Sequence, residues 1–294
     1  MKLYSHYQKS TAPPVATKEN WSNHAVTDGL LYSYRTTFYH AGSFPSNLHY
    51  HDYYELIVIE QGNIGYICES RIYYPQKGDV ILIPPGKFHM SFLNDTTTQY
   101  DRHVFYFYPS AFDAFDGACL CQFAQEEEHG ILLSPDGEQK ERMSELLERL
   151  HTTLSAGKAL ERTLGISFIL QFFYLLNQKH ERVQKNSHNL PENVLQLKNY
   201  IDTHYQTLGS VAEVAKQFYY SREHASRLFK KHFDITVSDY ILQRRILESQ
   251  KMILQGHSIT DAALAVGFNS MSAFVRGFRE ISGTTPSEYR KAKT

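Results

Sequence analysis

The chain has 294 residues, 42% apolar and 21% charged, with a formal net charge of −1. At ~100–200 residues per domain this length predicts two domains, and the composition suits globular units with real cores. Three cysteines, Cys68, Cys119 and Cys121, are too few for a disulfide framework and point to a reducing cytosol. The opening "MKLYSHYQKS" lacks the apolar stretch of a signal peptide, and no run approaches ~20 apolar residues, so the expectation is a cytoplasmic chain with no membrane contact.

Charge divides the chain unevenly. Residues 1–190 hold 16 Lys and Arg against 21 Asp and Glu, or −5; residues 191–294 hold 14 against 10, or +4. The basic C-terminal part suggests an anionic partner.

Residues 1–29 read as an irregular arm, broken by "TAPP". From Leu30 to Tyr108 short β-branched and aromatic runs ("YELIVIEQG", "ICESRIYY", "DVILIPPG", "HVFYFY") alternate with turn residues, which predicts a β-sandwich or barrel. After the turn Ser134-Pro135-Asp136-Gly137, Met143, Leu146, Leu147 and Leu150 recur at helical spacing, and a second apolar helix, "LERTLGISFILQFFYLLNQ", follows. "KHERVQKNSHNLPEN" is polar and aperiodic and reads as a linker, with Pro191 opening an all-helical remainder.

Within the β-rich part, "HYHDYYELIVIEQG" spaces its residues His-x-His-x3-Glu-x6-Gly, and "GDVILIPPGKFH" reads Gly-x5-Pro-x-Gly-x2-His. Together they resemble the two cupin motifs, with Gly42 one residue further from His49 than usual and Asn94 displaced by one. The resemblance implies a barrel in which His49, His51, Glu55 and His89 form one site. Imidazoles with a carboxylate suit a divalent transition metal. The same residues can instead hydrogen-bond a small ligand or one another. The abundant Tyr and Phe suggest an aromatic-lined barrel mouth for a sugar or similar polar molecule. Cys119-x-Cys121 lacks the second pair a zinc site needs and reads as structural.

The helical part contains a repeat. "YYSREHASRLFKKHFDITVSDYI" shifted by 49 residues falls on "GFNSMSAFVRGFREISGTTPSEYR". Tyr219 meets Phe268, Ser221 meets Ser270, Arg227 meets Arg276, Phe229 meets Phe278, Lys230 meets Arg279, Thr236 meets Thr285 and Tyr240 meets Tyr289. Each segment is a helix with a Ser N-cap. Ala225, Leu228, Phe229 and His232 face inward in the first, and Phe274, Gly277, Phe278 and Ile281 in the second. A short helix with a small residue at the crossing, Ala215 or Ala263, precedes each, and Gly267 can supply the left-handed turn residue. These features predict two helix-turn-helix units with basic outer faces, suited to DNA.

The signature resembles that of AraC/XylS-type transcription regulators over about 100 residues. The resemblance implies that "VSDYILQRRILESQKMIL" is a linking helix, with Leu242, Ile246, Ser249 and Ile253 as its buried stripe. It places base-reading positions on Glu223, Ser226 and Arg227 in the first unit and on Met271, Ser272, Val275 and Arg276 in the second; Arg222, Lys230, Ser270 and Arg279 complete the expected DNA contacts, with Lys230 and Arg279 suited to phosphates. Tyr219 stands where the family often has a turn glycine, Asp234 where the second unit has Gly283, and Ser249 where an alanine is usual.

The expected fold is therefore α+β: a cupin-like β-barrel with two flanking helices in residues 1–180, a linker at 181–192, and two helix-turn-helix units joined by a long helix in 193–294. The expected function is sequence-specific DNA-binding regulation of transcription under a small-molecule effector, with double-stranded DNA and RNA polymerase as partners. Helices at about 138–180 are expected to make a homodimer. The alternatives are a metal-dependent cupin enzyme or metal sensor fused to a DNA-binding module, and a DNA-binding protein whose barrel is only a dimerisation scaffold.

Overall fold

The computed structural model describes residues 16–39, 48–93, 99–125, 130–178, 181–182 and 187–293. Gly42 and Asn94 lie outside these. Strand β3, Tyr54–Gln61, is buried through its middle because both of its faces are covered. In it Leu56 and Val58 face a helical layer, while Ile57 and Ile59 face a second sheet. Burial on both faces explains why the strands read as nearly continuous apolar runs.

The first sheet has seven strands: β1 (Ala16–Thr27), β2 (Leu30–Tyr39), β8 (Gln99–Phe107), β3, β6 (Val80–Ile83), β9 (Ile131–Ser134) and β10 (Glu181–Arg182), in that spatial order. The second has four: β11 (Ser187–Asn189), β5 (Arg71–Tyr73), β4 (Ile64–Cys68) and β7 (His89–Leu93). All pairings are antiparallel. Ile57 stands opposite both Ile81 and Val104, a register that stacks branched side chains across three strands. Between the sheets, Tyr53, Tyr66, Tyr73, Tyr100 and Tyr106 are buried. Buried phenols require partners: Tyr66 bonds Tyr100, and Tyr73 donates to the Gly130 carbonyl.

A 3-10 turn (Pro109–Phe115) and two single-turn helices, α1 (Gly117–Leu120) and α2 (Gln122–Gln125), lead to α3 (Gly137–Ser155) and α4 (Ala159–Leu176). Asp136 caps α3 by accepting from the Gln139 amide at 2.9 Å, a capping box completed by Gln139. Met143, Leu147, Leu150 and Leu154 form its buried stripe, and Leu146 is half-buried. By length and apolarity α4 could cross a membrane, contrary to the sequence expectation that no run approached this. Its Phe168, Ile169, Phe172 and Phe173 instead pack on the sheet, Phe172 stacking on Phe105 at 5.3 Å centroid separation. Each such buried aromatic stabilises by roughly 1.5–3 kcal/mol.

The remainder is helical: α5 (Glu192–His204), α6 (Val211–Gln217), α7 (Arg222–Phe233), α8 (Val237–Leu254), α9 (Ile259–Ala265), α10 (Met271–Ser282) and α11 (Pro286–Lys293). The caps repeat as the matched sequences required. Thr236 and Asp239 form a capping box at α8, and Thr285 with Glu288 repeats it before α11. Two cores result. Phe229, Phe233 and Tyr240 centre the first, and Phe274, Phe278 and Tyr289 the second.

Four findings correct the sequence reading. Residues 16–27 of the expected irregular arm form β1, an edge strand paired along its length with β2. The expected linker carries β10 and β11, which extend one sheet each. Phe233, not His232, joins the first inner face; His232 is half-buried. The buried stripe of α8 is wider than Ile246, Ser249 and Ile253: Tyr240, Ile241, Leu247 and Gln250 are also buried, while Leu242 is only partly so.

The breadth of that stripe has a physical cause. Ile67, Phe88 and Met90, on the outer face of the four-stranded sheet, share one core with Val194, Leu197, Ile201, Tyr240 and Leu247. The layers are thus α3 and α4, seven-stranded sheet, four-stranded sheet, and first helix-turn-helix unit.

Candidate nucleic-acid interface and sensor site

Each recognition helix begins on a serine N-cap. Ser221 Oγ accepts from the His224 amide at 3.1 Å, and Ser270 Oγ from Ala273 at 3.4 Å. From these starts, Ala225 and Phe229 turn into the first core and Phe274, Gly277 and Phe278 into the second. The opposite faces are open. Arg222, Glu223, Arg227 and Lys230 are exposed on α7, with Ser226 half-buried. Ser270, Met271, Ser272, Arg276 and Arg279 are exposed at α10, with Val275 half-buried. Ser272, Val275, Arg276 and Arg279 line one shallow depression with Glu280 and Thr285. Among the described residues, docking of the sheet on α5 and α8 leaves both faces exposed.

The two units differ in the turn. Gly267 has φ +92°, and the Phe268 amide reaches back to the Ala263 carbonyl at 3.0 Å. In the first unit Tyr219 has φ +56°, and the Tyr220 amide reaches the Ala215 carbonyl at 2.9 Å. Tyr219 therefore matches Gly267, not Phe268, and the second turn is one residue longer because Asn269 precedes its cap. A Cβ on Gly267 would lie 1.9 Å from the Gln206 carbonyl oxygen, so the second turn requires glycine. Asp234 ends α7 at φ 54°, as Gly283 ends α10 at φ 71°, in keeping with the tolerance of Asp for the left-handed region.

The four residues of the cupin-like motifs converge. His49 and His89 exchange backbone hydrogen bonds at 3.0 and 2.9 Å, which brings the start of one motif to the end of the other. Glu55 Oε2 lies 3.2 Å from His51 Nε2 and 3.1 Å from His89 Nε2. His49, Glu55 and His89 offer ligand atoms all within 4.8 Å of one another. Both imidazoles are oriented from behind: His51 Nδ1 donates to the Tyr53 carbonyl at 2.8 Å and His89 Nδ1 to the Lys87 carbonyl at 2.9 Å. That assignment leaves each Nε2 facing the carboxylate. Tyr53 stacks flat on His51, with centroids 4.1 Å apart. Burial alone would raise the Glu55 pKa, but bonds from His51 and His89 outweigh it and hold the carboxyl well below its ordinary range. Burial lowers the His51 pKa. Two Nε2 atoms and a carboxylate oxygen are all acceptors when His is neutral, so the cluster needs protons or a cation between them. That donor set fits a divalent transition metal.

Sequence reasoning missed the contact that joins this cluster to the helices. Phe88 packs edge-on against Tyr240 at 5.0 Å, and the Arg244 guanidinium lies 5.6 Å from the Phe88 ring. Glu69 accepts from the Phe88 amide at 2.9 Å and from Lys198 Nζ at 2.7 Å. Lys198 also donates to Asp202 at 2.8 Å, and Arg244 pairs with Asp202 and Glu248. Burial would lower the Lys198 pKa; Glu69 and Asp202 outweigh it and raise it. In β7 His89 points inward while Met90 faces the helices, so the histidine–glutamate cluster and the interface share one strand.

Beneath α3 a second buried polar group was also missed. Tyr32 OH donates to His103 Nδ1 at 2.7 Å, with Glu60 3.6 Å from the other ring nitrogen. His24 Nε2 and His151 Nδ1 are buried without a hydrogen-bond partner among the described residues. Five elements contribute, so no local motif announces it.

Two helix-turn-helix units on one linking helix, joined to a double-sheet domain with a polar cluster, define a DNA-binding regulator with a ligand-binding domain. Comparison with known proteins agrees. Residues 33–173 match the AraC-like ligand binding domain and residues 214–292 a helix-turn-helix domain. The chain is 37% identical over 82 residues to the probable transcription factor PqrA of Proteus vulgaris, covering 28% of this chain and 67% of that one. It is 25% identical over 256 residues to the HTH-type transcriptional regulator YdiP of Escherichia coli K12, covering 84% and 81%. To the HTH-type transcriptional activator RhaS of Escherichia fergusonii it is also 25% identical over 256 residues, covering 86% and 89%. Apo ToxT of Vibrio cholerae is 14% identical with a TM-score of 0.38 over 93% of this chain and 100% of that one, a likeness too low to carry an argument. The chain belongs to the AraC family of transcription regulators, and the relatives named above are transcription regulators.

Proposed function

We propose that residues 1–180 form a cupin-like sensing and dimerising domain and residues 193–294 the DNA-binding domain, with His49, His51, Glu55 and His89 as the sensor site. One observation carries the sensor reading. Backbone carbonyls hold the Nδ1 of His51 and His89, and so aim both Nε2 atoms at Glu55. An acceptor set aimed at one point is prepared for a cation, and a divalent transition metal is the effector it fits best. Such an ion would supply charge neutralisation at Glu55 and fix the positions of the rings. Occupancy would bear on His89 and, through Phe88, on Tyr240 and Arg244. A small polar effector is the second reading, supported by the phenols of Tyr53 and Tyr106 near the cluster.

On DNA, Arg227 and Arg276 each occupy an outward position six residues after the cap, nearly two turns into the helix, suited to the O6/N7 edge of guanine. Lys230 and Arg279, a turn further, suit phosphates. Glu223 can accept from a cytosine amine. Ser226, Met271, Ser272 and Val275 complete the base-facing surface, with Arg222 and Ser270 at the helix starts. The exposed Leu160, Leu164 and Tyr174 of α4 support a homodimer through that helix. The likeness to an activator supports activation, with RNA polymerase as partner.

The test is elemental analysis of full-length protein purified without chelators, followed by thermal-shift titration with divalent metals and with sugars. A bound or added cation should raise the unfolding midpoint by mass action, and Glu55→Gln should abolish the rise. A rise with a sugar alone would favour the second reading. No response in any arm would leave the barrel a scaffold. A turnover screen on the same preparation tests the metal-dependent enzyme.

A further inference from the structure

Tyr219 combines two features that the fold does not explain. Its backbone sits at φ +56°, where side chains are strained and glycine is favoured. Its side chain is 98% exposed, so it adds no packing to offset that strain. In the second unit the matching residue is Gly267, whose turn abuts the Gln206 carbonyl and leaves no room for a side chain. Tyr219 meets no such wall, yet a tyrosine stands there rather than glycine or asparagine.

Its position suggests the missing partner. Tyr219 lies in the turn that feeds α7, two residues before the Ser221 cap. Lys216 and Arg222, three residues to either side, are both exposed, so this stretch presents cations to the solvent. Neutral hydroxyls of this kind commonly donate to phosphate oxygens and set the register of a recognition helix on the duplex. We propose that Tyr219 is a DNA-backbone contact, its phenol hydroxyl donating to a phosphate that flanks the groove segment read by α7. The strained conformation is then retained for binding rather than for folding.

The proposal predicts opposite effects on folding and binding from one substitution. In the full-length protein Tyr219→Gly should raise the unfolding midpoint by about 2 °C, because strain is relieved. It should also weaken binding to a mixed-sequence duplex at low salt by about three- to tenfold, the loss of one hydrogen bond. Tyr219→Phe, which keeps the ring and the backbone strain, should show the same loss of affinity with no gain in stability. The salt dependence should stay that of wild type in both, since no cation has been removed. Wild-type affinity in either Tyr219→Gly or Tyr219→Phe would overturn the proposal.

Discussion

Glu69 and Lys198 are 129 residues apart in sequence and 2.7 Å apart in the fold, and they tie the four-stranded sheet to α5, the first helix of the helical part. Lys198 is 3% exposed, so the pair is not a solvated surface bridge. Removing one partner of such a pair leaves a buried charge uncompensated, at a typical cost of about 3–5 kcal/mol. Asp202 remains beside Lys198 and keeps its charge partly compensated, which places Glu69→Gln below that range, at about 2–3 kcal/mol. Chemical denaturation of the variant checks this, together with limited proteolysis between residues 178 and 192, which should accelerate as the two halves separate.

Gly267→Ala should be among the most damaging single-methyl changes. The added Cβ meets the Gln206 oxygen at 1.9 Å, and the left-handed backbone disfavours alanine independently. Overpacking and strain together predict a loss of about 2–4 kcal/mol. Gly256→Ala has φ +94° but nothing within 4 Å of the new Cβ, so it should cost only the conformational part. Denaturant midpoints of the two variants separate clash from conformation.

How much of this was legible beforehand depended on the range of the interactions. The two recognition helices, their caps and α8 could be read because their signals lie within a few residues: Ser221, Ser270, Phe274, Phe278. The doubly buried strands were legible as apolar runs. β1 was not, because "ATKENWSNHAVT" is an edge strand with little apolar alternation. The one-residue difference between the turns escaped because a fixed shift of 49 places Tyr219 on Phe268; backbone conformation pairs it with Gly267, in line with the turn-glycine position that the family resemblance gives it. Lys198 could not be foreseen as buried, since Glu69 lies in a β-turn of the other half. His49, His51, Glu55 and His89 were found through spacing, whereas His24, His103 and His151 have no motif.

That second histidine group makes stability depend on pH. Burial pushes the His103 pKa down to about 3, and burial also lowers those of His24 and His151. An unfolded histidine takes its proton near ~6.5. Between these values the unfolded chain binds protons that the folded chain refuses, so stability falls as pH falls. From pH 7 to about pH 5.5 His103 alone should cost about 1–2 kcal/mol. The raised pKa of Glu60, due first to burial, acts in the opposite sense at lower pH. Thermal midpoints of wild type and His103→Gln across this range should show a shallower slope in the variant; equal slopes would remove His103 from the account.

The recognition helices should separate reading from anchoring. Arg276→Ala should cost about 1–3 kcal/mol on a specific site and relax preference at one base pair. Lys230→Ala should weaken specific and nonspecific duplexes alike and lower the salt slope by about one. Titrations of both variants across a salt series provide the check. Equal losses for Arg276→Ala on both duplexes would make Arg276 a phosphate contact.

Control of DNA binding by the proposed sensor cluster of His49, His51, Glu55 and His89 can be measured directly. The direct measurement is the Kd of the full-length protein for a duplex it selects from a random pool, with and without a divalent transition metal, in wild type and Glu55→Gln. Couplings between sites are typically 5- to 150-fold, at about 1–3 kcal/mol. The predicted result is a metal-dependent change of at least about fivefold in wild type that disappears in Glu55→Gln. An unchanged Kd in wild type, or the same change in Glu55→Gln, would contradict it.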